Sequence, residues 1–176
     1  YQARGIEAVR THSSQHLPRA GDEMTWLERE QRLDALRAGP AWVAAQLTSA
    51  GAVAFARRPA PERWSAAEVV AHLRDVDLQI MGPRLEQVLA EEFAAVPVVS
   101  LGDPGEPGES PAEALASWTE ARASVMARLD SLRAADWRRP FVHARLGPLT
   151  LADHVRMWSE HDLSHRRQLR DALGAA

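Results

Sequence analysis

Three times in this 176-residue chain a Ser or Thr is followed three positions later by Glu, and a helix-compatible stretch begins there. Thr25-Trp26-Leu27-Glu28, Ser65-Ala66-Ala67-Glu68 and Ser110-Pro111-Ala112-Glu113 have the form of capping boxes, in which hydroxyl and carboxylate satisfy amides that a helix start leaves free. Thr150 caps a fourth helix, which runs to Gly174. The first predicted helix spans residues 25–38 and resumes after Gly39 with Pro40 at its first position. The second starts at Ser65 and runs to about residue 95, with a kink at Gly82-Pro83, because Pro83 removes one backbone hydrogen bond.

The apolar stripes repeat at steps of three and four. They read Val69, His72, Leu73, Val76, Ile80 on the second helix and Leu115, Trp118, Arg122, Val125, Leu129, Leu132 on the third. The last helix shows Leu151, His154, Val155, Trp158, His161, Asp162, His165 and Leu169 on one face. No stretch alternates apolar and polar residues over a useful length, so the expected class is all-α, a four-helix bundle with crossover loops. Residues 141–145 offer one short strand at most. Residues 1–23, polar and ending in Pro18-Arg19-Ala20-Gly21, read as an extension or tail, and residues 24–176 as the helical domain.

Composition excludes several kinds of chemistry. The chain has no Cys, so disulfides, thiolate metal sites and a cysteine nucleophile are ruled out. All of its basic residues are Arg, and without Lys there is no Schiff-base route. The net charge of −3 gives no general attraction to nucleic acid or to an anionic membrane. The uncharged run through residues 41–56 carries Gln46, Thr48, Ser49 and Gly51, and is a poor membrane span. With no basic-then-apolar signal at the N-terminus, the expected location is cytoplasmic.

Seven histidines remain to be placed. His12 and His16 lie four apart in the polar segment, with no apolar face beside them, and read as solvated. His161 and His165 are also four apart, but on the inner stripe of a helix, where two stacked imidazoles can reach one ion at about 2.0–2.1 Å. The alternative is that Asp75, Asp162 or backbone carbonyls satisfy them separately. His72 faces inward from another helix and supplies the third imidazole of a possible three-His site, although a lone inward His is also an ordinary hydrogen-bonded core residue. His154 lies seven residues, about 10 Å of helical rise, from His161 and reads as core or cavity lining. His143 reads as a loop residue.

Residues 64–75, Trp-Ser-Ala-Ala-Glu-Val-Val-Ala-His-Leu-Arg-Asp, resemble the opening of the second helix of the DinB/YfiT-like family. Trp158-Ser159-Glu160-His161-Asp162-Leu163-Ser164-His165-Arg166-Arg167-Gln168 resembles its fourth-helix motif, and residues 146–151 resemble the segment leading into that helix. The resemblance implies a divalent ion, often nickel or zinc, held by His72, His161 and His165. It also implies frequent homodimers. Family members include metal-dependent hydrolases and transferases or isomerases that use bacillithiol, mycothiol or glutathione. Gly82-Pro83 and the N-terminal extension depart from the family pattern.

The leading expectation is therefore a metal-dependent hydrolase or thiol-dependent transferase acting on a small molecule. A three-imidazole ion leaves positions open, where water loses its proton near neutral pH or an external thiol is deprotonated. Asp75 and Asp162 are candidates to orient an imidazole or act as general base. Arg122 either pairs with an inward carboxylate, the favoured reading, or binds a carboxylate of substrate or thiol cofactor. Trp158 and His154 are further candidates for lining a pocket, with Trp118 and Trp158 most simply core. Gln168 reads as a capping or dimer-contact residue. The rival functions are a metal- or ligand-binding stress protein without turnover and a plain helical dimerisation domain.

Overall fold

The computed structural model describes residues 24–102, 104 and 109–174; the expected tail at residues 1–23, with His12 and His16, lies outside the described residues. The helices are α1 (Trp26–Arg37), α2 (Gly39–Ala50), α3 (Ala52–Ala56), α4 (Ala66–Val76), α5 (Gly82–Ala90), α6 (Pro111–Asp130) and α7 (Leu151–Leu173). Four arms make the bundle: α1 with α2, α4 continued by α5, α6, and α7.

Local chemistry sets these boundaries. At Ser65 the hydroxyl accepts from Glu68 N (3.2 Å) while the Glu68 carboxylate accepts from Ser65 N (2.8 Å). The same reciprocal pair starts α6 at Ser110 and Glu113, and α7 at Thr150 and Asp153. Each cap contributes about 1 kcal/mol. At Thr25 only half of the box forms. Its hydroxyl accepts from Glu28 N, but the Glu28 carboxylate turns to Arg32 and Arg156. Gly174, at φ 69°, ends α7 in the left-handed conformation that glycine adopts freely.

The kink expected at Gly82-Pro83 is a π turn over Asp77–Met81, in which Gly82 N–H reaches back to Asp77 O. The wider turn absorbs the hydrogen bond that Pro83 cannot make. The helix then stops at Ala90, short of the expected residue 95, because Ala94–Val96 is a strand.

That strand corrects the sheet-free expectation. β1 (Ala94–Val96) pairs in parallel with β2 (Pro140–His143), which pairs antiparallel with β3 (Gly147–Thr150). Strands of three and four residues are too short to display an alternating pattern. Phe141 and His143 are buried and Val142 is exposed, so the alternation exists only across three positions.

The core falls into two apolar groups. One gathers Leu36, Val76, Leu85, Leu129, Phe141, Leu151 and Trp158; the other gathers Val43, Phe55, Val69, Leu73, Trp118 and Leu169. Among the described residues no helix is long and apolar enough to cross a membrane.

Candidate metal centre

α4 presents His72 and α7 presents His161 and His165, and the ring nitrogens of the three gather within 4.8 Å of one another. His161 Nε2 lies 3.3 Å from His72 Nε2 and 3.1 Å from His165 Nε2. Nitrogens held at about 2.0–2.1 Å from one ion in tetrahedral directions stand about 3.3–3.4 Å apart, so these separations suit a shared ion. The Trp64 ring lies 5.0 Å from His72 and stacks at 6.3 Å on His165, walling one side of the cluster.

The tautomers sharpen the fit. His165 Nδ1 meets Gln168 Oε1 at 2.8 Å, and an amide oxygen only accepts, so the proton sits on Nδ1 and the Nε2 lone pair points inward. His161 Nδ1 faces Asp162 Oδ1 at 4.0 Å, which favours the same tautomer. Both atoms are buried and have no hydrogen-bond partner among the described residues. Two lone pairs 3.1 Å apart repel unless a proton or a cation stands between them. Burial, then the neighbouring imidazoles, lowers His72 to about 3; burial and His161 lower His165 to about 4. Three imidazoles gathered with their Nε2 atoms together form a donor set that fits a metal cation.

Behind Asp162 lies a buried ionic network. Arg122 NH1 donates to Asp162 Oδ2 (2.7 Å) and Leu36 O (2.8 Å), while its Nε and NH2 take Asp77 Oδ2 and Oδ1 (2.7 and 3.1 Å). Trp118 Nε1 and Trp158 Nε1 also donate to Asp77, at 3.1 and 3.0 Å. Burial raises the pKa of Asp77, but all four groups at its oxygens are donors, so a proton there would lack an acceptor and the hydrogen bonds favour the carboxylate. Burial opposes the charge of Arg122, but Asp162 and Asp77 more than offset it and raise its pKa. Burial likewise pushes Asp162 up, and His161 and Arg122 bring it below its usual range. Arg166 adds a second guanidinium near Asp162, so the network balances its charges, and Asp162 Oδ1 is the acidic atom turned toward His161.

The remaining sequence candidates fall in several places. Asp75 pairs with Arg74 at 2.9 Å, and Arg74 also grips Glu109. His154 is buried, with Nε2 3.5 Å from Met81 O and its ring edge-on to Phe141. Trp158 is fully buried, with Arg122 over its face at 5.1 Å. His143 ends β2 and accepts from Arg145 N and Leu146 N, organising the hairpin rather than standing in a free loop. Gln168, expected as a capping or dimer-contact residue, accepts from His165 Nδ1 through its amide oxygen at 2.8 Å. A groove of about 410 Å³ between α5 and α6, lined by Gly82, Glu86, Val125 and Arg128, shares no residue with the histidine cluster.

Sequence reasoning did not single out Asp77 or Trp64 as part of this region. The signal for Asp77 was indirect: an inward Arg and two inward Trp on facing stripes all need an acceptor.

The family model of the DinB superfamily matches residues 52–169, a span that holds His72, His161, His165, Asp77, Arg122 and Asp162. The chain belongs to the DinB superfamily. Its fold is similar to that of YfiT from Bacillus subtilis, described as a probable metal-dependent hydrolase with an unusual four-helix bundle topology. The TM-score is 0.68 at 21% identity, over 88% of this chain and 93% of YfiT. This DinB-superfamily chain therefore shares the YfiT architecture. No curated protein matches it in sequence.

Proposed function

We propose that this DinB-superfamily chain is a metal-dependent enzyme acting on a small molecule, with His72, His161 and His165 holding one divalent ion. The observation that carries the reading is the convergence of three imidazoles from two helices, with Nε2 atoms 3.1 and 3.3 Å apart. A bound divalent ion at such a centre supplies a nucleophile at neutral pH by lowering the pKa of water or of a thiol. Zinc and nickel both accept imidazole ligands and are the ions of choice. The likeness to YfiT supports hydrolysis as the first reading. The same reading includes a homodimer, which sedimentation would test.

The chain's own residues have separable roles. Gln168 fixes the His165 tautomer, and Asp162 orients His161 instead of acting as general base, since Arg122 occupies its other oxygen. Trp64 keeps water from one side of the cluster. Asp75 is held by Arg74, and the proposal gives it no proton-transfer step.

A second reading rests on the absence of Cys, which leaves any sulfur nucleophile to come from outside the chain, as bacillithiol, mycothiol or another low-molecular-weight thiol. The two separate in one assay. Tag-free protein loaded with one equivalent of zinc or nickel is offered epoxide and chloro electrophiles with and without thiol. Turnover without thiol supports hydrolysis, and turnover only with thiol supports transfer. No turnover in either arm, with the metal retained, points to a binding protein.

A further inference from the structure

The buried ion network outside the histidine cluster ends on one of its members. Arg122 lies between the faces of Trp118 and Trp158, with its guanidinium carbon 5.1 Å from each ring centroid. Its nitrogens are held by both Asp77 oxygens, the Leu36 carbonyl and Asp162 Oδ2 at distances of 2.7–3.1 Å. Two stacking faces and four acceptors leave the guanidinium no freedom to turn. Arg122 is 2% exposed, so solvent does not compete for these contacts.

This rigidity passes to the next carboxylate. With Oδ2 fixed by Arg122, the Asp162 side chain turns its other oxygen toward His161 Nδ1, 4.0 Å away. Neither of those two atoms has another hydrogen-bond partner among the described residues. A carboxylate facing the outer ring nitrogen is the contact that usually sets ring orientation in metal-ligating histidines.

We infer that Arg122 is a positioning residue for the metal centre: by clamping Asp162 it sets the orientation of the His161 ring. The inference rests on the metal-binding reading proposed above, and it gives the Asp77–Arg122 pair a role beyond core stability. Asp77 and the two Trp indoles anchor the clamp from the far side.

The test uses Co²⁺ as probe, on the full chain stripped with chelator, with affinity read by competition and geometry by visible absorption. Arg122→Lys keeps the charge but presents one nitrogen, which cannot hold both Asp77 oxygens and Asp162. It is expected to weaken Co²⁺ binding by about tenfold to a hundredfold and to shift the absorption bands. Leu85→Ala removes buried volume from the core at α5 and touches neither Arg122 nor Asp162. It is expected to lower the unfolding midpoint while leaving Co²⁺ affinity within about twofold, since only the orienting contact matters to the ligand. Wild-type affinity and spectrum in folded Arg122→Lys would overturn the inference, as would an equal loss of affinity in Leu85→Ala. If Arg122→Lys does not fold, Arg122→Gln replaces it, and failure of both assigns Arg122 to stability alone. Failure of the wild-type chain to take up Co²⁺ would instead overturn the metal-binding reading itself.

Discussion

His161 Nδ1 and Asp162 Oδ1, on adjacent residues of α7, face each other at 4.0 Å, and neither has a hydrogen-bond partner among the described residues. A buried donor and acceptor left this way cost about 1–3 kcal/mol each.

Asp162→Asn tests that relationship. The substitution keeps volume but removes the charge behind the imidazole and the strong acceptor for its proton. Metal affinity should fall about tenfold to a hundredfold, as for other loss of an outer carboxylate partner. Competition against a chromophoric chelator reads the change, and an unaltered dissociation constant would leave the pair without a role.

A second expectation concerns acid. His154 is wholly buried, and burial holds its pKa at about 4 against 6.5 in the unfolded chain. Between those values the unfolded chain binds a proton that the folded chain refuses, so stability falls as pH drops from about 6.5 to 4. His72 and His165, lowered to about 3 and about 4, act in the same direction in metal-free protein. Urea midpoints across this window should therefore decline toward acid. His154→Leu should flatten the decline by up to about 3 kcal/mol over the window. An unchanged slope in that variant would show that His154 is not the group being protonated.

Gly82 provides a third test. A Cβ there would stand 2.9 Å from the Asp77 carbonyl oxygen, which belongs to backbone and already accepts the Gly82 N–H. Helix propensity alone would favour Gly82→Ala by about 1 kcal/mol. The clash should instead make it destabilising by about 1–3 kcal/mol. The sign of the shift in a urea melt decides between them. A stabilised variant would mean that the π turn relaxes freely.

Much of this architecture was legible in the residues. Ser65, Ser110 and Thr150 mark helix starts through local chemistry that needs no distant partner. Thr25 was half legible, because Arg32 and Arg156 on two helices compete for the Glu28 carboxylate. Of the sheet only β2 was legible, as a short strand at residues 141–145: its pairing joins residues 94–96 to residues 141–143, and no local pattern announces a contact so distant in sequence. His161 and His165 were legible as a pair by their spacing and shared face. Asp77 was overlooked although it lies four residues after Leu73 and three before Ile80, on the apolar face. Its role appears only when Trp118, Arg122 and Trp158 arrive from two other helices. Gln168 was visible, but its bond to His165 was not, since it uses the ring nitrogen that faces away from the cluster.

The central claim is that imidazoles from α4 and α7 share one cation, and metal content measures it most directly. Tag-free protein is stripped with chelator, dialysed against zinc or nickel, freed of excess ion and analysed for metal per chain. The account predicts about one ion per chain in the wild type and less than about 0.2 when His72, His161 or His165 is replaced by Ala, since two imidazoles no longer form the site. No retained ion in the wild type, or unchanged content in all three variants, would contradict it.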